Sequence, residues 1–544
     1  MKIIKKTLSW ASEESFQILS GSQTLYTSPS LVNSEERTLE TCLTAAANNQ
    51  YTLKMKDSFG DSWSSGAWIE LYSINDNIIF KGFMDQVREQ DVPFSLYSPI
   101  DKNALWKFSN QYSGSWREYS FPDSGWTDVT LGVTPTASTG TEYFRKQYAG
   151  IPGMAAIEMQ FQYRFGIVAY INGVEVYRDN MPTGEPSQAT LASGSYQVTD
   201  YHGTIRSAAG AENAQSVLAV EIHYLTAGMQ TNVDFNAFLS YLAGVSADEA
   251  CYVVPTERTA TGTGVSNPNN AFSWTRLSYA SVTSSSLPAT MIMEMTGNTL
   301  PAVNAIRIWP YTNPTYHPSN FEVYGGASAS APTWNLFFNP VGVTYESSTW
   351  KVFKNIQTST MYPALKFVIN SSNAGSVYMY EIQPLVCNIG TLPSITYPSQ
   401  TYQVYAKYNS ITAVPTVYGM SNCQSSTPLP SGLTLNPNTC AITGTATAAS
   451  PLTTYTITAS VGTATISGTI TLSFLDCSGY MLRILRTYKY SPSYEGFRIN
   501  NSENDAVLFD VSTGHSNPAN VDKVDYFCVT VDRFDVTLYS TSTY

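Results

Sequence analysis

The sequence predicts an all-β protein of tandem β-sandwich and jelly-roll modules, and three observations predict it. At 544 residues the chain exceeds several times the roughly 150 residues of one domain, so it reads as a string of modules. Only 13% of residues are charged, about half the usual share, while tyrosine alone numbers 37, a balance that favours β-rich extracellular protein over cytosolic enzyme. The apolar period is two: YTLKMK places Tyr51, Leu53 and Met55 on one face and Thr52, Lys54 and Lys56 on the other, and LAVEIHY alternates Leu218, Val220 and Ile222 with Ala219, Glu221 and His223. The two ends also repeat. With a one-residue gap, Met1, Ile4, Lys6, Thr7, Trp10, Phe16 and Ile18 fall opposite Met481, Ile484, Arg486, Thr487, Tyr490, Phe497 and Ile499, and Cys42 opposite Cys528.

Residues 1–100 form the first module. SEERTLETCLTAAA has helical propensity, but its counterpart VDKVDYFCVTVD is β-branched and alternating, so both are expected as strands. Between strands lies DSFGDSWSSGAW, which resembles the D-x-x-G-D-x-W loop of many secreted repeat proteins of microbes and protists. Asp57 and Asp61 flank Gly60, which lets two carboxylates converge, and such hard oxygen donors suit calcium. The other reading is a tight turn in which the Asp side chains bond backbone N–H groups over a packed Trp63.

Residues 104–246 carry, in order, LWKF, SGSWREYSFPDSGW, EYFRKQY, GIVAYINGVEVYRDNMPTG, SVLAVEIHY and DFNAFL. IVAYI and VEVYR meet at Asn172-Gly173, a type I′ hairpin signal. This series resembles the galactose-binding-like jelly rolls attached to secreted hydrolases and surface proteins. The resemblance implies carbohydrate binding through loop aromatics or a spacer role, with Trp106, Trp116, Trp126 and Tyr170 as stacking candidates or as core. Glu221 and His223 share a strand, but no nucleophile accompanies them.

Residues 250–388 carry NAFSW, LPATMIMEM, AIRIWPYTNPTYHPSNFEVYGG and VYMYEIQPLVC, and resemble a discoidin-type module. That resemblance implies a sandwich whose terminal cysteines pair, and ligands from glycans to lipid headgroups or proteins. In residues 391–475, ITYPSQTYQVY, LPSGLTLNPNTCAITGTAT and TTYTITASVGTATISGTITLSF resemble the immunoglobulin-like modules of bacterial and protist surface proteins, which implies a spacer or adhesive sandwich. Residues 477–544 are a second, incomplete copy of the first module, without its acidic loop and closing strands. Aligned on the first copy, Tyr544 falls near Lys56 to Phe59. A sandwich without those strands exposes edges that invite another strand.

Cysteine positions follow these boundaries. Cys251 and Cys387 bracket one segment, Cys423 and Cys440 lie within the next, Cys477 and Cys528 bracket the last, and Cys42 is left over. That pairing is one of many connectivities and suits an oxidising compartment. The short loop would contribute about 3 kcal/mol and the longest about 4 to 5 in the chain-entropy model. By the repeat, the partner of Cys42 is expected four residues before Met1, in a longer parent chain. Two N-x-S/T sequons, at Asn370 and Asn500, fit glycosylation of a secreted protein.

Several function classes fall away. A net charge of −12 without clustered Lys or Arg argues against nucleic acid. No apolar run approaches the roughly 20 residues of a membrane span, and MKIIKKTLSW lacks the apolar stretch of a secretory signal. The four histidines, His202, His223, His317 and His515, show no zinc spacing, and no P-loop, dinucleotide fingerprint or nucleophile elbow occurs. No enzyme is expected. The expectation is an extracellular structural or adhesive glycoprotein that joins copies of itself or adjoining segments of a longer chain, as in a surface filament or flagellar hair. The alternative is a carbohydrate-binding accessory region of a larger secreted hydrolase, with glycans as partners.

Overall fold

The computed structural model describes residues 1–544 apart from 45–49, 65, 74–77, 85–87, 103, 132–140, 152–153, 155, 197–200, 208–211, 227–234, 244–250, 255–257, 275–277, 298, 311–312, 314–315, 347–348, 356–360, 373–374, 388–393, 462–463, 488–494, 512–521 and 541–544. The protein is all-β. Ten sheets form among the described residues, and the named helical segments among them are two short 3-10 turns, Pro268–Phe272 and Ser284–Ser286. No helix among the described residues is long and apolar enough to cross a membrane.

The first sandwich is built from eight strands, β1 (Lys2–Lys6), β2 (Glu14–Ser20), β3 (Gln23–Thr27), β4 (Glu36–Glu40), β5 (Gln50–Asp57), β6 (Trp68–Tyr72), β7 (Ile78–Gly82) and β8 (Glu89–Ser95). They form two sheets, β4-β1-β6-β7 and β3-β2-β5-β8. The expected alternation in β5 is realised, with Tyr51, Leu53 and Met55 turned into a core shared with Ile3, Phe16, Ile18, Ile69, Leu71, Val92 and Phe94. ERTLE of the ambiguous segment is a strand, β4, while Ala45 to Asn49 lie outside the described residues.

The second sandwich packs a six-stranded sheet on a four-stranded one. The first runs Thr127–Thr130, Leu105–Ser109, Thr141–Ala149, Gln215–His223, Gly166–Ile171, Val174–Asp179. The second runs Asn236–Leu242, Ala156–Gln162, His202–Ser207, Thr299–Pro301. The last strand comes from the following segment and pairs in parallel, Gly203 opposite Thr299. A Cβ on Gly203 would fall 2.0 Å from the Met159 carbonyl, so the close approach needs glycine.

The third sandwich pairs Cys251–Val253, Val377–Cys387, Ala305–Pro310 and Lys351–Lys354, with Ala280–Val282 on Val377–Cys387, against Arg258–Thr263, Ala289–Met295, Ala364–Ser372, Pro318–Gly326 and Asn335–Phe338. Its core includes Ala156, Ile205 and Leu242 from the second sandwich, so the two share one hydrophobic interior. The fourth sets Thr401–Tyr405, Ala464–Leu475, Ser450–Val461 and Ser421–Ser425 against Ser410–Ala413, Ile442–Thr445 and Leu433–Leu435. Tyr418 packs against the third core, and a bridge joins Asn355 to Tyr418.

The end segment forms two small sheets, Tyr480–Thr487 with Asp522–Val529, and Glu495–Asn501 between Val507–Val511 and Phe534–Ser540. Its registers repeat those of the first copy. Phe16 pairs Met55 and Ile18 pairs Leu53, as Phe497 pairs Leu538 and Ile499 pairs Val536. Strand pairing removes the one-residue gap in the sequence alignment. With Cys42 held opposite Cys528, Ile484 takes the place of Ile3, and Arg486 that of Lys5. The inward cation is kept: Lys5 lies over the Trp63 ring and Arg486 over that of Phe497. Pairing also places Ser540, opposite Glu495, where Asp57 stands opposite Glu14.

The cysteines are bonded 251–387, 423–440 and 477–528, and Cys42 is exposed and free.

Candidate functional site

The acidic turn follows β5. Gly60, at φ +97°, bends the chain so that its N–H, and that of Asp61 at 3.3 Å, donate to Asp57 Oδ1. Trp63 packs beneath, 3% exposed, its Nε1 donating to the Lys56 carbonyl at 2.8 Å. Sequence pointed to Asp57 and Asp61; the fold adds Glu13. One carboxylate oxygen from each of the three lies within 4.8 Å of the others. Glu13 has no mark in the loop motif, because it arrives through the pairing of β2 with β5. Three hard oxygens fit a calcium-type cation, although Asp57 already accepts two backbone N–H groups and the Arg88 guanidinium lies against Gly60.

Three of the four aromatic candidates of the second sandwich are core. Trp106 is 1% exposed, Trp116 0% and Tyr170 2%; Trp126 is half-buried, stacked on Trp116 at 6.4 Å. The first three therefore offer no ring face to a sugar: Trp106 lies in the core between the sheets, against Phe235, and Trp116 and Tyr170 lie in a cluster with a strap formed by the segment around Trp116 to Trp126. Buried Arg145 latches it, with Nη1 donating to the Trp116 and Glu118 carbonyls and Nε to Asp123 at 3.0 Å. Beneath the strap, Glu221 accepts from Tyr170 at 2.6 Å and Arg117 at 3.0 Å, and His223 Nε2 lies 3.2 Å from its other oxygen. His223 Nδ1 is 2.8 Å from the Thr190 carbonyl. Both residues are sealed from solvent, so this network ties strands together and does not meet a ligand.

His202 stacks on Tyr196, and His317 on Tyr345, with burial lowering the His317 pKa to about 4; His515 lies outside the described residues. Asn370 is exposed on Ala364–Ser372, whereas half-buried Asn500 donates its amide to Asp505 at 2.7 Å.

An aromatic surface that sequence did not nominate lies on the third sandwich. On Val377–Cys387, Val377 and Met379 face the core while Tyr378 and Tyr380 alternate outward. Ala280 pairs Met379 and Ser281 pairs Tyr378, which brings Tyr279 alongside. Its ring lies 5.1 Å from that of Tyr378 and 6.0 Å from that of Tyr380, and Tyr316 lies 5.1 Å from Tyr378 on a neighbouring segment. Tyr279 is 38% exposed and the others half-buried, so the four rings form a continuous surface. The alternation in VYMYEI was the available signal; Tyr279 and Tyr316 join it only through folding. A separate cavity of about 310 Å³ opens between the third and fourth sandwiches, lined by Leu336, Asn339, Tyr418, Met420 and Asn438 among others.

The family described as "Putative Ig domain" matches residues 384–474, the segment of the fourth sandwich. No curated protein matches the chain in sequence. Among solved structures, the family 32 carbohydrate-binding module of Clostridium perfringens NanJ, in complex with galactose, is similar at 15% identity, covering 24% of this chain and 93% of that one, with a TM-score of 0.20. The serum fucolectin of striped bass, Morone saxatilis, is similar at 9% identity over 52% of this chain and 95% of its own, TM-score 0.23. Bacteroides uniformis β-glucuronidase is similar at 12% identity over 74% of this chain and 33% of its own, TM-score 0.23. At these identities and scores the likenesses carry no argument about ligand or activity.

Proposed function

We propose that this chain is a glycan-binding and spacing region of an extracellular protein, without turnover of its own. The observation that carries the reading is the four-tyrosine surface. Tyrosine rings present apolar faces that stack on the C–H face of a sugar, while their hydroxyls bond its rim, and two such rings on one strand face are held without loop ordering. Three bonded cysteine pairs support an oxidising, extracellular setting. Calcium belongs to the reading as a ligand of the Glu13, Asp57 and Asp61 turn, distant in sequence from the tyrosines.

Glycan-array binding by the purified chain is the test, repeated in EDTA to separate any calcium-dependent contribution. Tyr279→Ala and Tyr378→Ala should each weaken binding about ten-fold, because truncating a central stacking ring costs on the order of 1 to 2 kcal/mol. Silence across a broad array, or binding indifferent to both substitutions, would overturn the reading.

A further inference from the structure

The strand Val377–Cys387 is tied at one end by the bond from Cys387 to Cys251, and the four tyrosine rings gather at its other end. Strand register brings them there. Ser281 pairs Tyr378, so Tyr279, one residue before the strand Ala280–Val282, reaches the outward rings of Tyr378 and Tyr380. Tyr316 instead leads into Pro318–Gly326, a strand of the facing sheet. Tyr378 is the hub of the group: the Tyr279 ring lies 5.1 Å away at 56° to it, and the Tyr316 ring 5.1 Å away at 37°. Rings at that spacing touch. The group is also open to reagents in solvent through Tyr279, whereas the pairs Tyr112–Tyr143 and Tyr163–Tyr177 each have a sealed partner, Tyr143 and Tyr163 being 0% and 1% exposed.

We propose that this group is an oxidative cross-linking site, at which Tyr378 couples to Tyr279 or Tyr316 as a dityrosine that staples the third sandwich. A one-electron oxidant takes an electron and the phenolic proton from each of two rings, leaving two phenoxyl radicals. The radicals pair in a carbon–carbon bond between positions ortho to the oxygens, and the hydrogens on those carbons move to the oxygens, restoring both phenols. The net loss is two electrons and two protons, which one hydrogen peroxide consumes under a haem peroxidase in becoming two waters. Rings already held in contact meet far more often than rings on separate molecules, so the bond forms within the chain. Coupling to Tyr279 joins neighbouring strands of one sheet, and coupling to Tyr316 joins the two sheets. The chemistry needs close rings and no sugar, so it goes beyond the glycan reading and either can fail alone.

In the test, the purified chain is alkylated at its exposed free Cys42, whose thiol would reduce the radicals, and treated with a haem peroxidase and limiting hydrogen peroxide. The monomer is then isolated, digested and searched by mass spectrometry for joined peptides lighter by two hydrogens. The Tyr378 peptide joined to that of Tyr279 or Tyr316 is expected, and Tyr279→Phe should divert the coupling to Tyr316. Phenylalanine keeps the ring and lacks the O–H that the oxidation consumes. A Tyr408→Phe background removes the partly exposed pair Tyr408–Tyr526, at 5.6 Å. In it, Tyr378→Phe should lower the dityrosine fluorescence of the monomer about five-fold or more. Calorimetry should show the third sandwich melting higher after oxidation, a rise that Tyr378→Phe abolishes, since a cross-link restricts the unfolded chain. No joined peptide containing Tyr378, coupling only between molecules, or fluorescence indifferent to Tyr378→Phe would overturn the proposal.

Discussion

Glu142 sits on Thr141–Ala149 with no exposed surface, facing the Tyr224 hydroxyl, and burial pushes its pKa up to about 8. Glu212, accepting from Tyr241 at 2.7 Å, is pushed up to about 7 by the same cause. Both folded values lie above the ordinary 4.5, so the neutral acids favour the fold. Their contribution is full below about pH 4.5 and is lost as pH rises towards 8. Calorimetry should show the second sandwich melting at lower temperature at pH 8 than at pH 5, with Glu142→Gln flattening that slope and adding on the order of 2 kcal/mol at pH 8. An unchanged slope in the variant would show that Glu142 is not its source. At this scale the sequence was least legible. Trp116 and Tyr170 look like sugar platforms in one dimension; their burial goes with the strap that Arg145 holds from the strand Thr141–Ala149, a contact that sequence does not announce.

Single elements were read more reliably, because their signals are local. Asn172 and Gly173 were expected to turn with positive φ and do so, at 49° and 82°. In LPSGL, Gly432 adopts φ +94°, and there a Cβ would stand 2.1 Å from the Thr445 carbonyl. Gly432→Ala should therefore destabilise the fourth sandwich by about 2 kcal/mol or more, combining left-handed strain with a backbone clash. Chemical denaturation followed by the near-ultraviolet signal would check it, and a loss below a few tenths of a kcal/mol would contradict the geometry. What local pattern could not announce is Thr299–Pro301, three residues whose parallel partner lies at His202–Ser207. Parallel pairing across so long a connection leaves no turn signature to find. The acidic turn divides the same way: Gly60 and Asp57 carry their geometry in sequence, whereas Glu13 is delivered by strand register.

Across the molecule, the joints between successive sandwiches were not legible in the motifs. Leu242, fully buried, belongs to a strand of the second sandwich and to the core of the third. Leu242→Ala should cost about 2 to 4 kcal/mol and lower the melting of both sandwiches together. Calorimetry that resolves two transitions, with one unmoved, would show the shared interior to be energetically divided.

The Cys251–Cys387 bond joins the first and last strands of the third sandwich, with Cα atoms 3.9 Å apart and a sequence separation of 136. Under tension along the chain, load entering at Cys251 leaves at Cys387 through one covalent bridge. The covalent path bypasses the intervening polypeptide, tyrosine surface included, so the pull that reaches it comes through its noncovalent contacts with the neighbouring sandwiches, as at Thr299–Pro301 and Asn355.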